Sequence, residues 1–290
     1  MKRLALVALF AIACGATQAQ AQTLSLAYSK GATYTYKAHM TLDETVDLGA
    51  VKEPVTVNMT ATETETVQSV DSSGVADISI KLTGVTVKTT VAGQVATTTT
   101  TVPTEDIKVG SDGRVLGING LAFSGGSPFG AAGGGGTGSA IFPDGTVKPG
   151  DTWSKNYDQT NPLGTGSVHV TTTSKYLRDE TINGTQTAVV QTTINTPMDM
   201  TIDFSKFAQL TGGDATTFPI TGLQGMAIKG TQVANATTWL DAKGHRVVKS
   251  TMSSKIDATF SFVMAAGSSM PGLSGPFAIK GTQTMDLTAA

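Results

Sequence analysis

The sequence has little of what helices and of what catalytic sites are made from. Charged side chains are 14% of the 290 residues and aromatic ones 6%, against roughly 25% charged in an average soluble domain. Leu, Glu, Lys and Arg, the strong helix formers, are scarce, which excludes a helical bundle. A formal charge of −2 and a mean hydropathy of +0.03 argue against disorder, which needs high net charge and low hydrophobicity. A pI of 5.9 gives no electrostatic footing for nucleic acid. No apolar run approaches the roughly 20 residues of a transmembrane helix. The single cysteine, Cys14, leaves the chain beyond it without a disulfide or a thiol nucleophile.

What is abundant is Thr, about one residue in six, together with 33 Gly. Thr suits pleated surfaces and Gly suits turns, so the composition points to an all-β protein. The patterning agrees. In Val55-Thr56-Val57-Asn58-Met59-Thr60-Ala61-Thr62 the apolar side chains hold the odd positions, the mark of a strand with one dry face. Ala76, Ile78, Ile80 and Leu82 repeat it, as do Met252, Ile256, Ala258, Phe260 and Phe262. Asn183-Gly184, Asp112-Gly113 and Ala92-Gly93 read as hairpin turns, and 241–247 as a late hairpin. His245, after Gly244, reads as a solvated turn residue.

At the start, Lys2 and Arg3 precede an apolar run at 4–13 and the small-residue site Ala19-Gln20-Ala21, the layout of a secretory signal peptide over 1–21. In a second reading, Ala11-Ile12-Ala13-Cys14-Gly15 is a degenerate lipoprotein box and Cys14 becomes a lipidated first residue. Both readings send the protein out of the cytoplasm, to the periplasm, the cell surface or the medium.

The rest divides into a first β lobe over 22–120, a Gly-rich linker or loop over 121–140 and a second β lobe over 141–290. The expected fold is mainly β, with two curved antiparallel sheets or one continuous sheet and one or two short helical turns. Phe204, Phe207 and Leu210 stand at helical spacing after Asp203, a candidate cap, and before Gly212-Gly213, a stop. Within the second lobe Ala-Ile-Lys-Gly-Thr-Gln occurs twice, at 227–232 and 278–283. The repeat predicts two equivalent strands in one sheet.

Phe142-Pro143-Asp144-Gly145-Thr146-Val147-Lys148-Pro149-Gly150-Asp151-Thr152-Trp153 carries a proline followed by V-x-x-G-D-x-W. It resembles the central signature of a group of uncharacterised exported bacterial proteins with two β lobes. Those are in turn distantly similar to the lipoprotein-carrier superfamily. That resemblance implies a strongly curved half-barrel closed by short helices and holding an apolar ligand; it assigns no binding residue. By its own chemistry the segment is two turns and a strand start, with Trp153 anchoring a core.

Catalytic patterns are scarce. His39, His169 and His245 are far apart in sequence and make no His-x-His or His-x-x-x-His pair. No Gly-x-Ser-x-Gly elbow occurs. Residues 133–138 satisfy the dinucleotide spacing G-x-G-x-x-G without the flanking strand and helix its mechanism needs. Glu63 and Glu65 continue the odd, apolar face of Val55, Val57 and Met59, which makes them a candidate carboxylate pair for a cation; the plainer expectation is that a bulge turns the face or that the strand leaves the core there.

These readings lead to a non-enzymatic envelope protein without cofactor or nucleic acid. Its expected partner is a lipid or lipoprotein, held in a hollow lined by Val, Ile, Met and a few Phe, with Phe204, Phe207 and Leu210 as a candidate lid. A Thr-rich surface or adhesion protein is the alternative. An outer-membrane barrel is disfavoured by two Trp and five Tyr, too few for two aromatic girdles.

Overall fold

The computed structural model describes residues 21–47, 52–122, 140–161, 163–206, 222–266, 268 and 275–290. The signal segment, Cys14, Phe207, Leu210 and most of the Gly-rich stretch lie outside the described residues. The first half supplies β1 (Gln22–Thr23), β2 (Thr33–Asp47), β3 (Lys52–Val70), β4 (Ala76–Val91), β5 (Gln94–Thr100), β6 (Glu105–Val109), β7 (Val115–Ile118) and β8 (Leu121–Ala122). The second supplies β9 (Thr146–Val147), β10 (Thr152–Thr160), β11 (Gly164–Ile182), β12 (Thr185–Asp203), β13 (Leu223–Asp241), β14 (Val247–Met264) and β15 (Phe277–Ala289).

Thirteen strands form one antiparallel sheet in the order β10-β11-β12-β13-β14-β15-β2-β3-β4-β6-β7-β8, with β5 on the remaining stretch of β4. The curved, mainly β expectation holds in its continuous form. The halves meet where β15 pairs β2, from Ala278↔Asp47 to Ala289↔Tyr36. β10 and β8 end the sheet, and among the described residues no ladder joins them, so it is not a closed barrel. Both copies of the hexapeptide repeat lie in this sheet, on β13 and β15, one on each side of β14.

The inner face follows the alternation. On β3, Ala61, Glu63, Glu65 and Val67 are buried while Thr62, Thr64 and Thr66 are not. On β4, Ala76, Ile78 and Ile80 are buried at even positions and Val85 at an odd one. The register moves by one residue between Thr60↔Thr86 and Thr62↔Thr83. Gly84, at φ +62°, is the extra residue of that bulge and keeps the apolar side chains on one face.

At one end the sheet is plugged by its own chain. The stretch 24–28 crosses it: Leu26 N–H donates to Ser111 O (2.8 Å) and Ala27 N–H to His245 O (2.9 Å). The stretch 140–142 crosses beside it. Phe142 N–H donates to Asp112 O (2.9 Å), while Trp153 Nε1 (2.9 Å) and Ser174 Oγ (3.2 Å) donate to Ile141 O. Leu24, Leu26 and Phe142 thereby join side chains of both halves, among them Val67, Ile78, Ile107, Tyr176, Val190 and Leu240, in one apolar core. Trp153 packs against that core.

Two turn readings change. Asn183-Gly184 (φ +47°, +82°) and Ala92-Gly93 (φ +49°, +78°) are left-handed pairs, as a two-residue type I′ hairpin requires. Asp112-Gly113 instead belongs to a longer loop, in which Gly110 N–H donates to Arg114 O and Gly113 N–H to Gly110 O. A Cβ on Gly113 would lie 2.2 Å from Ala140 O, so the crossing segment dictates glycine there. His245 is half-buried, not solvated, and its Nδ1 lies 3.2 Å from Ser25 O.

Candidate functional site

The ladders fix which side chains meet on the concave face. One row crosses β14, β15, β2 and β3 as Met252, Met285, Met40 and Met59, each the direct partner of the next. The following rows are Ser254, Gln283, Leu42 and Val57, then Ile256, Gly281, Glu44 and Val55. Beside them β13 brings Gln232, Gly230 and Ile228, and β12 brings Met198 and Met200.

Over these rows lies a cavity of about 250 Å³, near the lower end of the roughly 300–1,000 Å³ of small-molecule sites. Met40, Leu42, Met198, Met200, Met226, Ile228, Ile256, Ile279 and Phe260 form its apolar lining, with Glu44, Gln232, Ser254 and Gln283 among them. Phe260 stacks with Phe277 and Phe262 at centroid distances of 5.3 and 5.6 Å. Gln283 Nε2 donates to Met40 Sδ (3.2 Å) and Gln232 Nε2 to Ser254 Oγ (3.4 Å), so part of the polar lining is satisfied within the wall. Methionine is unbranched and polarisable, and a lining of four adapts to ligands of irregular shape.

The repeat accounts for the close approach of the strands beside the cavity. Its glycines, Gly230 and Gly281, fall on the inner face beside Ala258 and Ile256. A Cβ on Gly230 would lie 2.4 Å from Ala258 Cα, and one on Gly281 would lie 2.6 Å from both Asp43 O and Glu44 Cγ. The strands therefore pass too close for any side chain at these two points. At Gly281 the neighbouring Glu44 side chain lies where a Cβ would stand.

Glu44 is half-buried, and burial raises its carboxyl above the ordinary glutamate value. Phe204 begins a helical turn over 204–206, capped by Asp203, whose Oδ1 accepts from Ser205 N–H (2.8 Å) and Ser205 Oγ (2.6 Å). Phe204 packs against the apolar cluster that holds Leu163, Met198, Met200 and Ile202 and is not among the residues that line the cavity. Phe207 and Leu210 lie outside the described residues.

Glu63 and Glu65 do not leave the core. The bulge that was to turn them out sits on β4, so β3 keeps its face and both are fully buried. They stand opposite Tyr36 and Tyr34. Burial, then the neighbouring Glu63 carboxyl, pushes Glu65 well above the ordinary value. Among the described residues no donor from elsewhere reaches either Glu65 oxygen; its polar neighbour is Glu63. Burial likewise raises the hydroxyls of Tyr28 and Tyr36, with Glu65 adding to both. No group of three or more His, Cys, Asp and Glu among the described residues is placed to hold a metal ion. His169 meets Asp158 (2.8 Å) and His39 meets Asp286 (4.0 Å), both exposed pairs.

Sequence reasoning missed Met40, Met198, Met200, Met226 and Glu44 as neighbours. Met198, Met200 and Ile202 do share parity, a signal of an inner face. That Met40 and Glu44 come to the same cavity depends on the β15–β2 ladder, which joins opposite ends of the sequence.

No helix among the described residues is long and apolar enough to cross a membrane. No family model matches the sequence, and no curated protein matches it. Among solved structures the chain is similar to a hypothetical lipoprotein, YmcC, from Escherichia coli (K12), at 12% identity over 91% of this chain and 89% of that one, with a TM-score of 0.28. It is also similar to a putative outer membrane lipoprotein-sorting protein domain from Vibrio parahaemolyticus, at 8% identity over 88% and 83%, with a TM-score of 0.18. At such scores neither likeness carries an activity or a ligand across, and the functional reading rests on the hollow.

Proposed function

We propose that the chain is an exported, non-enzymatic envelope protein that binds an apolar, lipid-like ligand in the hollow over β12–β15 and β2. The observation that carries this is a concave cavity of about 250 Å³ lined by Met, Ile, Leu and Phe. Such a lining suits a flexible acyl chain better than a flat aromatic molecule or a sugar, which would ask for aromatic faces or many hydrogen-bonding groups. In this reading Phe204, packed against the cluster that includes Met198 and Met200, belongs to the cover of the site. Export through the signal segment 1–21, or lipidation at Cys14, would bring the site to the periplasm, the cell surface or the medium.

The test is native mass spectrometry and organic extraction of protein purified from a bacterial envelope, alongside titration with a fluorescent fatty-acyl probe. Co-purifying lipid and saturable probe binding, weakened at least tenfold by Ile228→Trp, are expected. An interior free of lipid together with no probe binding overturns the reading.

One observation favours the alternative of a Thr-rich surface protein. β5 is exposed along its whole length, with Val95 59% exposed, and presents an outer strand edge to a second sheet. Concentration-dependent oligomers in sedimentation, lost when Val95→Lys is introduced, would support it.

A further inference from the structure

The charge of the hollow says which amphiphiles it takes, an inference that rests on the hollow being the ligand site. Among the described lining residues Glu44 is the only ionisable one. Glu53, diagonal to Glu44 across the β2–β3 ladder, is of the same sign. The cations on the lining strands stand off the hollow: Lys229 pairs with Asp199 (3.2 Å) and Lys280 with Asp257 (3.1 Å), Lys249 lies over the Trp239 ring (4.8 Å), and Lys37 and Lys255 are exposed at the parity opposite to Met40 and Ile256. Lys206, beyond Phe204, lies beside Asp203 and helps to lower its carboxyl. The sequence stretches outside the described residues and after the signal segment, namely 48–51, 123–139, 162, 207–221, 267 and 269–274, contain one acid, Asp214, and no Lys, Arg or His. No part of the chain beyond the signal segment can therefore add a cation to the hollow from those stretches.

From this we infer that the hollow selects amphiphiles whose head carries an ammonium group and discriminates against anionic ones, with Glu44 as the specificity-determining residue. Glu44 lies across from Gly281, whose missing Cβ leaves room for the Glu44 side chain in the cavity wall. An acyl chain among Met198, Met200 and Ile228 leaves its head within reach of this carboxylate. A half-buried carboxylate attracts an ammonium more strongly than an exposed one, because less water screens the pair. It repels a carboxylate or phosphate head for the same reason. Burial already raises the Glu44 carboxyl, the behaviour of a carboxylate with no compensating cation and so one that gains when a ligand brings its own.

The experiment compares dodecylammonium, dodecyl maltoside and dodecanoate, each below its critical micelle concentration at neutral pH, by isothermal titration calorimetry on the intact chain. The expected order of affinity is ammonium, then neutral, then carboxylate, with about tenfold between the extremes or more. Glu44→Gln should lower ammonium affinity and raise carboxylate affinity until the two lie within about threefold. Glu105→Gln, on β6 and away from the hollow, should leave the order as it is. Equal binding of all three probes, or tightest binding of dodecanoate, overturns the charge selection while leaving the lipid hollow standing. Binding of none of them overturns the hollow itself.

Discussion

Glu65→Gln offers the sharpest test of the buried carboxyl pair. Glu65 is fully buried, and burial, then Glu63, raises its carboxyl well above the ordinary value. Below about pH 4.3, the unfolded value, both folded and unfolded chains hold the proton and it contributes no pH dependence. Above that the unfolded chain releases the proton while the folded chain keeps it. Stability is therefore fully present below the unfolded value and is lost as pH rises toward the raised one, by about 1.4 kcal/mol per pH unit for one proton. For a chain of this size that is roughly 3–6 °C of Tm per unit. Gln cannot titrate, so the stability difference between variant and wild type should swing toward the variant with that slope. A constant offset from burying the amide moves the whole curve and leaves the slope alone. The other groups facing the pair are Tyr28, Tyr34, Tyr36 and Arg246. Burial holds the Tyr28 and Tyr36 hydroxyls above their ordinary value, so the difference reports the carboxyl pair that Glu65 forms with Glu63. Urea midpoints of both proteins across that range are the assay. Parallel profiles, or a gap that closes as pH rises, would refute the argument.

Three further outcomes follow from the same geometry. Gly281→Val should cost about 1–3 kcal/mol in urea unfolding by forcing β15 away from β2, and should abolish acyl-probe binding even where the protein remains folded. Ala92→Asn should raise stability by about 0.5–1 kcal/mol, since Ala92 holds φ +49° in an exposed type I′ turn where Asn is at ease. Trp153→Phe should cost about 1 kcal/mol beyond its packing loss, because Ser174 Oγ still donates to Ile141 O. Adding Ser174→Ala should cost more than the two single effects together, because the Ile141 carbonyl then loses both side-chain donors.

The strands were legible because a single wet and dry alternation governs them. Val55 to Met59, Ile78 to Leu82 and Ile256 to Phe262 all sit on the faces their parity assigns. Turns with left-handed pairs were legible too, since Asn183-Gly184 admits few other conformations. Less of the site could be read. Glu63 and Glu65 look out of place on an apolar face, and the pattern gives no hint that a bulge on the neighbouring strand, at Gly84, leaves them inside. His245 looks like a turn tip because its partner, Ser25, is over two hundred residues away. The hollow depends on which strands flank β14; the repeat marked Gly230 and Gly281 as equivalent, but only the register shows that they stand opposite Ala258 and Ile256.

The β15–β2 ladder also has a consequence for assembly. Read from β10 to β15 and then from β2 onward, the path of the sheet is an up-and-down meander in which each strand pairs with the next one on it. In the sequence as it stands, that path is cut at its middle, and one ladder must bring together residues as distant as Tyr36 and Ala289. Closing so long a loop is slow relative to pairing adjacent hairpins. A circular permutant, opened within 123–139 and joined by a linker across the present ends, should fold faster while keeping its native contacts. In the natural order the two halves can form hairpins separately, but Met40, Leu42 and Glu44 reach the other wall of the hollow only when β15 docks on β2. An acyl probe that enters the proposed site should therefore bind only chains in which β15 and β2 have paired.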